Sequence, residues 1–454
     1  MQDPNGIIFH KGRYHVFYQY DPTGQGGFYT DDHWGHAVSK DLLHWEHLPD
    51  ALSPTPGGPD RHGCWSGCLF MDNDTPTILY TGLVRKTDKL EERISCLSQC
   101  LATSSDDMLT WEKYPGNPVL ADPPIELGKL TAWHDPYVWR EGDAWYMVLG
   151  CAFRDGPGAV LLYRSSDLVH WGYLHPLCVG EKVGERWLVP KLIPMGNKHI
   201  LLYYLEGITR YIIGTYKKHR FTSDIQGQFD YFQAGGILAD AQGQRMFWGW
   251  IGEDRNRDVY QRAGWAGMAT MPRVMELKSD GAFTMYVSRE LWSSGTPDWE
   301  YKNEELSPST PFQPAELRGD CLEIRVDIEL GQAEVFGIKV RCSPGGEEET
   351  LILYNRSEQR LSLDRTRSSL DPAANLGSND ARLALAADEP LRLHIFLDRS
   401  VVEVFACRRA SLAGRIYPAR HDSGAIALFA QGHNAIVQRL RVWKRESIWE
   451  EKSG

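Results

Sequence analysis

A short apolar hairpin recurs five times in the first 250 residues of this chain, and it restricts the possible folds more than any other feature. Each copy has a turn, a short strand, a second turn and another apolar strand. The copies run through residues 2–20, 65–80, 134–148, 188–203 and 235–250. Repeats of roughly 60 residues, each with about four short strands, are typical of β-propellers, whose blades surround an axis. Five copies therefore predict five blades.

A second signal runs in phase with these hairpins. It is a Ser-x-Asp turn followed by a Trp, and it appears as Ser39, Asp41 and Trp45, as Ser104, Asp106 and Trp111, and as Ser165, Asp167 and Trp171. In a propeller the strand that opens each blade lies nearest the axis, so its first residues meet at one mouth of the central funnel. The repeat thus predicts that Asp3, Ser66, Asp135, Leu188 and Gly235 surround one cavity.

The hairpin periodicity ends after residues 265–273, and the chain is predicted to be all-β throughout. A polar, Pro- and Ser-rich stretch at 294–314 is interpreted as a linker. Alternating strands with turns every ten or so residues follow, as in a two-sheet sandwich. We therefore expect a propeller domain over 1–293, a linker over 294–314 and a β-sandwich domain over 315–454. The run Glu347–Glu349 is interpreted as a solvated turn.

Charge and cysteine content restrict the partners and the compartment. A net charge of −11 argues against nucleic acid or an anionic membrane as a partner, and no apolar run reaches the length of a membrane span. No signal peptide opens the chain, and nine cysteines suit a reduced interior, so we expect a cytoplasmic protein. The chain begins inside its first motif, which is consistent with a trimmed start.

Two Cys-x3-Cys pairs, Cys64 with Cys68 and Cys96 with Cys100, have a spacing that zinc could use. We favour the alternative that these cysteines are small buried apolar residues. The expectation is therefore that the protein needs no metal and no organic cofactor.

Several motifs together resemble glycoside hydrolase family 32, the family of invertases, inulinases, levanases and fructosyltransferases. The motifs are Asp3-Pro4-Asn5-Gly6 with Phe17-Tyr18-Gln19, Trp34-Gly35-His36 with Asp41-Leu42, Trp65-Ser66-Gly67, His134-Asp135-Pro136 and the run 396–405. The resemblance covers essentially the whole chain, in order. It implies a five-bladed β-propeller followed by a C-terminal β-sandwich, in agreement with the repeat count.

The resemblance also implies roles for individual residues. Retaining glycosidases use a carboxylate nucleophile and a carboxylic acid that protonates the leaving oxygen. The nucleophile of the family falls on Asp3, and the carboxylate that stabilises the transition state falls on Asp135. The substrate-binding positions implied by the motifs, or by an aromatic at the mouth, are Gln2, Asn5, Gln19, Trp65, Ser66, His134, Leu188 and Trp250, with Phe28 and Tyr29 as further aromatic candidates.

The sequence departs from the family at the third carboxylate. The family motif Trp-Glu-Cys-Pro-Asp is here Trp187-Leu188-Val189-Pro190-Lys191, so Leu188 stands at the position of the acid/base Glu. Leucine cannot transfer a proton. Other changes are Gln2 for Asn, His134 for Arg, and glycines at 235 and 236. A displaced acid would have to be Glu181, Glu185, Glu206 or His134.

Three interpretations follow for a protein whose partner is a small carbohydrate and which is a monomer or a homodimer. The first is a retaining hydrolase or fructosyltransferase for β-fructofuranosides such as sucrose or fructo-oligosaccharides, with an atypical or displaced acid. The second is an enzyme whose leaving group departs without protonation. The third is a catalytically impaired member that binds a fructose-like sugar. We favour an enzyme because Asp3 and Asp135 are both present.

Overall fold

The structure is a computed structural model, which describes residues 1–23, 32–85, 97–239, 243–279, 281–446 and 448. Two compact units make up the chain. The first comprises Met1–Trp250 with Ala263–Ala269, and the second comprises Ile251–Arg262 with Thr270–Gly454.

Four antiparallel four-stranded sheets build most of the first unit, and each is a meander of consecutive strands. The first sheet contains β1 Pro4–His10, β2 Arg13–Tyr20, β3 His33–Ser39 and β4 Trp45–Leu52. The second contains β5 Cys64–Asp72, β6 Thr75–Leu83, β7 Leu97–Thr103 and β8 Glu112–Lys113. The third contains β9 Leu130–Glu141, β10 Ala144–Phe153, β11 Pro157–Ser165 and β12 Gly172–Val183. The fourth contains β13 Leu188–Met195, β14 Lys198–Leu205, β15 Ile208–Lys217 and β16 Arg220–Asp230.

A fifth hairpin completes the ring of opening strands. It consists of β17 Gln233–Ala239 and β18 Arg245–Ile251, and the short strand β19 Met268–Ala269 pairs with β18. The opening strands contact one another in the cyclic order β1, β5, β9, β13, β17 and back to β1. This ring is the inner wall of the predicted five-bladed propeller.

Every opening strand has the same irregularity where it pairs with the second strand of its hairpin. One extra residue is inserted near the start, between Pro4 and Gly6, Cys64 and Gly67, His134 and Tyr137, Leu188 and Lys191, and Gln233 and Gly235. Such β-bulges interrupt the regular alternation of side chains between the two faces of a sheet. The extra residues lie at the five positions where the predicted site residues cluster.

The blades are held together by apolar residues between consecutive sheets. One cluster joins the second and third sheets through residues such as Leu79, Leu101, Trp133 and Met147, and similar clusters join the first to the second and the third to the fourth. Strand β10 is buried along nearly its whole length, because its sheet has a neighbour on each face. Its sequence is therefore a continuous apolar run rather than an alternating one.

The first and third Ser-x-Asp signals form equivalent turns, whereas in the second the Ser104 hydroxyl accepts a hydrogen bond from the Met108 amide, one residue further along the chain. In the first, the Ser39 hydroxyl accepts a hydrogen bond from the Leu42 amide at 2.9 Å, and Trp45 donates its indole N–H to the Leu42 carbonyl at 3.2 Å. The third repeats this pattern with Ser165, Leu168 and Trp171. These hydrogen bonds stabilise a left-handed residue, with φ of 65° at Leu42 and 67° at Leu168.

The second unit contains a helix, a hairpin and two larger sheets. The helix is α1 Arg257–Ala263, and the hairpin is β20 Arg273–Leu277 with β21 Phe283–Val287. The remaining strands are β22 Trp299–Leu306, β23 Cys321–Glu329, β24 Val335–Cys342, β25 Thr350–Asn355, β26 Arg360–Asp364, β27 Ser378–Arg382, β28 Leu391–Asp398, β29 Val401–Ala406, β30 Ala410–Arg415, β31 Ala425–Gln431 and β32 Ala435–Lys444. Two short 3-10 helices, Ile125–Leu127 in the first unit and Arg289–Leu291 in the second, complete the elements.

The two larger sheets form the β-sandwich. Their strand orders are β22-β32-β23-β28-β29-β30 and β27-β26-β25-β24-β31. Burial alternates along strands such as β25, because each sheet has one face against the core and one towards solvent. The prediction of an all-β chain with a propeller followed by a sandwich is confirmed.

The stretch 294–314, which the sequence analysis assigned to a linker, contains strand β22. This strand pairs along its length with β32 at the edge of the six-stranded sheet. Its residues 299–306 are mostly polar because an edge strand has a large exposed surface, and charged side chains there prevent pairing with another chain. Polarity alone therefore did not distinguish this strand from a linker.

Two further observations concern membranes and cysteines. None of the helices in the described part of the chain has the length and hydropathy of a membrane span. Cys64, Cys68 and Cys100 are free and buried in the propeller, while Cys96 lies outside the described residues. Within the described ranges, no group of three or more His, Cys, Asp or Glu side chains is arranged to hold a metal ion.

Candidate active site

Asp3 lies just before β1 and contacts the second blade through Ser66. The Ser66 hydroxyl is 2.5 Å from Asp3 Oδ2 and 2.7 Å from Gln19 Oε1, so one proton serves two acceptors. Burial raises the pKa of Asp3 to about 6, and the negative charge of Asp135 adds to this effect. The hydrogen bond from Ser66 and the charges of Lys191 and His134 oppose it.

Asp135 is held by three neighbours in a left-handed backbone conformation, with φ of 65°. Its amide donates to Thr81 Oγ1 at 2.9 Å, and its Oδ2 accepts a hydrogen bond from the Val189 amide at 3.1 Å. His134 Nδ1 lies 2.7 Å from the same oxygen. A non-glycine residue in this conformation is strained, and such strain is concentrated at functional sites.

The hydrogen bond from the Val189 amide joins the fourth blade to Asp135, next to Leu188, where the sequence departs from the family motif. Val189 directly follows Leu188, which is half-buried and pairs with Tyr204 in β14. The apolar side chain of Leu188 is therefore one residue away from the amide that donates to Asp135. No group at position 188 can donate a proton.

The four candidates for a displaced acid occupy different environments. His134 is buried between Asp135 and Trp65. Its Nδ1 contacts the Asp135 carboxylate, and its ring centroid is 5.6 Å from that of Trp65. Glu185 is directed to the indole of Trp187, which donates to Glu185 Oε2 at 3.0 Å. Glu206 is exposed in the turn that follows β14, two residues beyond the partner of Leu188, and Glu181 is exposed on β12. Of these four, His134 is the one in contact with a carboxylate of the site.

The remaining predicted binding residues are placed as follows. Gln2 and Gln19 are joined by a backbone hydrogen bond of 2.8 Å, and the Gln19 side chain also donates to the Cys64 carbonyl at 3.3 Å. Asn5 is buried at the bulge of β1, and neither polar atom of its side chain has a hydrogen-bond partner among the described residues. Unpaired buried amides are costly, so a ligand that hydrogen-bonds to Asn5 would relieve this cost.

The predicted aromatic residues differ in exposure. Trp65 is half-buried beside His134, whereas Trp250 is buried at the end of β18, where Gly267 approaches its indole. Phe28 and Tyr29 lie outside the described residues.

The glycines at 235 and 236 have a structural reason. A Cβ atom on Gly235 would lie 2.1 Å from the Phe247 ring, and one on Gly236 would lie 2.5 Å from Ile7. Close packing of β17 against β18 and β1 therefore requires glycine at both positions. This change from the family is explained by packing alone.

Two buried ionisable residues of the site were missed by the sequence analysis. Lys191 is 3% exposed and interacts electrostatically with Asp3 and Asp135. Asp32, which is 2% exposed, has one carboxyl oxygen without a hydrogen-bond partner among the described residues. Burial raises the pKa of Asp32 well above its usual range, and the charges of Asp21 and Asp3 add to this shift. The charge reversal at position 191 of the family motif could have drawn attention to Lys191, whereas no sequence signal marked Asp32.

Comparisons with known proteins show the family of the chain. The family description "Glycosyl hydrolases family 32 N-terminal domain" matches residues 1–286, and "Glycosyl hydrolases family 32 C terminal" matches residues 294–444. A sucrose-6-phosphate hydrolase of Zymomonas mobilis subsp. mobilis is 33% identical over 98% of this chain and 89% of its own length. A levanase of Bacillus subtilis (strain 168) is 30% identical over 99% of this chain and 69% of its own length.

A solved structure shows the same fold. The crystal structure of fructan 1-exohydrolase IIa from Cichorium intybus matches with a TM-score of 0.87 and 24% sequence identity, covering 98% of this chain and 95% of that chain. At this level of identity the likeness concerns the fold alone.

Proposed function

Since the chain belongs to glycoside hydrolase family 32, we propose that it is a retaining β-fructofuranosidase that lacks the usual proton donor. Asp3 is the nucleophile and Asp135 stabilises the transition state. The observation that carries this proposal is the cluster of Asp3, Ser66, His134 and Asp135, in which both carboxylates are bound by donors from neighbouring blades.

The proposed reaction proceeds in two steps. An oxygen of Asp3 attacks the anomeric carbon of the fructosyl group, and the bond to the leaving oxygen breaks as the glycosyl-enzyme forms. Water then attacks the same carbon and gives up a proton, which balances the proton that the leaving oxygen takes from solvent or from a substitute acid, and this step releases fructose and restores the Asp3 carboxylate. Asp135, held in place by the Val189 amide, stabilises the positive charge that develops on the sugar ring. The Ser66 hydroxyl orients the nucleophile.

Sugar recognition would fall to groups that have unused hydrogen-bonding capacity or an accessible ring. The side-chain amide of Asn5 has a donor and an acceptor that are both available for sugar hydroxyls. Trp65 offers a half-buried indole. The substrate class is a small β-fructofuranoside. Sucrose and sucrose 6-phosphate are the first to test, because relatives are named sucrose-6-phosphate hydrolases.

Protonation of the leaving group is the step in which this protein differs from its relatives. His134 is supported as a substitute acid by its contact with Asp135 and its place beside Trp65. Asp32 is a second candidate, because its raised pKa keeps the carboxyl protonated at higher pH than usual. A fructoside with a good leaving group would need neither residue.

The proposal is tested by turnover of sucrose, sucrose 6-phosphate and an aryl β-fructofuranoside with the parent and Asp3→Asn proteins. We expect the parent to cleave the aryl substrate and Asp3→Asn to lose at least 10³-fold in rate. The melting temperature of the variant at pH 7 should not fall, since the change removes a partly buried charge.

A competing function, sugar binding without catalysis, predicts a different result. Neither protein would then cleave any of the three substrates, while fructose would still raise the melting temperature of the parent. Equal turnover by the parent and Asp3→Asn would show that the chemistry lies elsewhere.

A further inference from the structure

Lys191 is a buried lysine that has no role in the reaction proposed above. It is 3% exposed, and its ammonium group forms no ion pair with a carboxylate of the described residues. Its Nζ lies 5.7 Å from the centroid of the Tyr137 ring. Lysines are rarely buried without an ion-pair partner, because removing an ammonium group from water costs several kcal/mol. The presence of this one calls for a functional reason.

The bulge in β13 determines the direction of this side chain. Leu188 pairs with Tyr204 and Lys191 pairs with Leu202, so three residues of β13 span the distance of two on β14. In a regular strand residues 188 and 191 would point to opposite faces, but the extra residue places them on the same face. Lys191 therefore points to the side on which the family carries its acid. There it lines a cavity with room for about one water molecule, together with Val189, Tyr204, Thr209 and Gly235.

Groups on three other blades act electrostatically on Lys191. Burial lowers the pKa of its ammonium group, while Cys68, Asp135 and Asp3 oppose this shift. The other ionisable groups near it are the Cys68 thiol, the Tyr137 ring and the Tyr204 hydroxyl, and burial raises the pKa of all three, so each is neutral at pH 7. Two of the groups that act on Lys191 are thus carboxylates on other blades, Asp3 and Asp135.

Asp3 is surrounded by opposing influences. Burial and Asp135 favour the neutral acid, whereas Ser66, Lys191 and His134 favour the carboxylate, and Asp32 also lies close enough to interact. Relative to the family motif, this stretch has lost two acidic residues, at 188 and 191, and gained an ammonium group.

We propose that Lys191 is a positioning residue whose buried ammonium group keeps Asp3 in the carboxylate form that attacks the sugar. It acts through the electric field at Asp3 and needs no contact with the substrate. The inference rests on the proposed function in one respect, the role of Asp3 as nucleophile.

The test compares Lys191→Met, which keeps the length of the side chain without its charge, with Lys191→Arg, which keeps the charge. Lys198→Met is the matched control, because Lys198 lies in the same sheet but is paired with Asp224 at 2.8 Å. In Lys191→Met the acidic limb of kcat/KM should move up by about one pH unit. Activity should fall roughly tenfold below the midpoint of the limb and less than threefold at pH 8. Lys191→Arg and Lys198→Met should keep the limb of the parent.

A second measurement does not need turnover. The carboxyl carbon of Asp3, assigned by its absence in Asp3→Asn, can be titrated by NMR in the parent and in Lys191→Met. A higher pKa of Asp3 in Lys191→Met supports the inference, even if the parent proves to bind sugars without cleaving them. The same pKa in both proteins overturns it, whatever happens to activity. Lys191→Met should also be at least as resistant to urea as the parent, since it removes a buried charge.

Discussion

At the scale of single residues, the site has fewer hydrogen-bond donors than acceptors around Asp3. The Ser66 hydroxyl has one proton for two acceptors, Asp3 and Gln19. When Asp3 is ionised, the Ser66 proton points to it, and when Asp3 is protonated, the carboxyl can donate to Ser66, which then donates to Gln19. The orientation of the Ser66 hydroxyl is therefore linked to the ionisation of the nucleophile.

The pH dependence of activity should reflect the raised pKa of Asp3. The nucleophile must be ionised, and its pKa is about 6 rather than the usual value near 4. We expect kcat/KM for an aryl fructoside to rise with pH and to reach half of its plateau near pH 6. An acidic limb centred near pH 4 would contradict the environment described for Asp3.

Replacing Leu188 by Glu tests the missing acid. A general acid typically contributes about 10²- to 10⁴-fold, and its share grows with the basicity of the leaving group. We expect Leu188→Glu to raise the rate on sucrose at least tenfold, with little change on an aryl fructoside, and to introduce an alkaline limb in the pH profile.

Leu188→Gln is the control, because it has nearly the same shape as Glu but no acidic proton. An unchanged rate on sucrose in Leu188→Glu, together with a bell-shaped profile in the parent, would contradict the missing acid. The search would then turn to His134 and Asp32.

At the scale of elements, the sandwich contains a buried carboxylate that the sequence analysis interpreted wrongly. The run Glu347–Glu349 was expected to be a solvated turn, but Glu348 is fully buried. Its two oxygens accept four hydrogen bonds, from the Ser423 hydroxyl at 2.6 Å and from three amides at Ala419, Leu370 and Arg420. The reason is that two loops of the second unit, one around residue 370 and one over residues 419–423, direct their hydrogen-bond donors to this one side chain.

Glu348→Gln should destabilise the protein, because an amide presents only one acceptor oxygen and turns an N–H group towards the other donors. We expect a loss of about 2–4 kcal/mol in the free energy of unfolding, measured by urea denaturation at pH 7. Glu347→Gln, whose side chain is 46% exposed, should change it by less than about 0.5 kcal/mol.

The difference in the free energy of unfolding between the parent and Glu348→Gln should also depend on pH. Burial alone would raise the pKa of Glu348, but the hydrogen bonds outweigh it and the pKa is lowered. The contribution of the carboxylate is therefore fully present above the pKa of the unfolded chain, near 4.3, and is lost as the pH falls through the lower pKa of the folded state. Equal effects of Glu348→Gln at pH 7 and at low pH would contradict this account.

At the scale of the whole molecule, the repeats made the fold predictable. Five hairpins and the recurring Ser-x-Asp signals predicted the blades, and the turns of the first and third blades form the same local hydrogen bonds. The positions of Asp3 and Asp135 followed from the motifs. The environment of Lys191 and Asp32 did not follow from the motifs, because it arises from charges on several blades that are far apart in sequence. The polar edge strand β22 was missed because an edge strand and a linker can have the same composition.

The ring of five bulges has a consequence for how such a protein can change. Each bulge separates the residues at the mouth from the regular strand below, where most side chains are packed against neighbouring blades. Substitutions above the bulge, such as Leu188, need not be compensated by repacking below it. A change of chemistry at the mouth, such as that at Leu188, can accordingly occur while the strand below it keeps its packing.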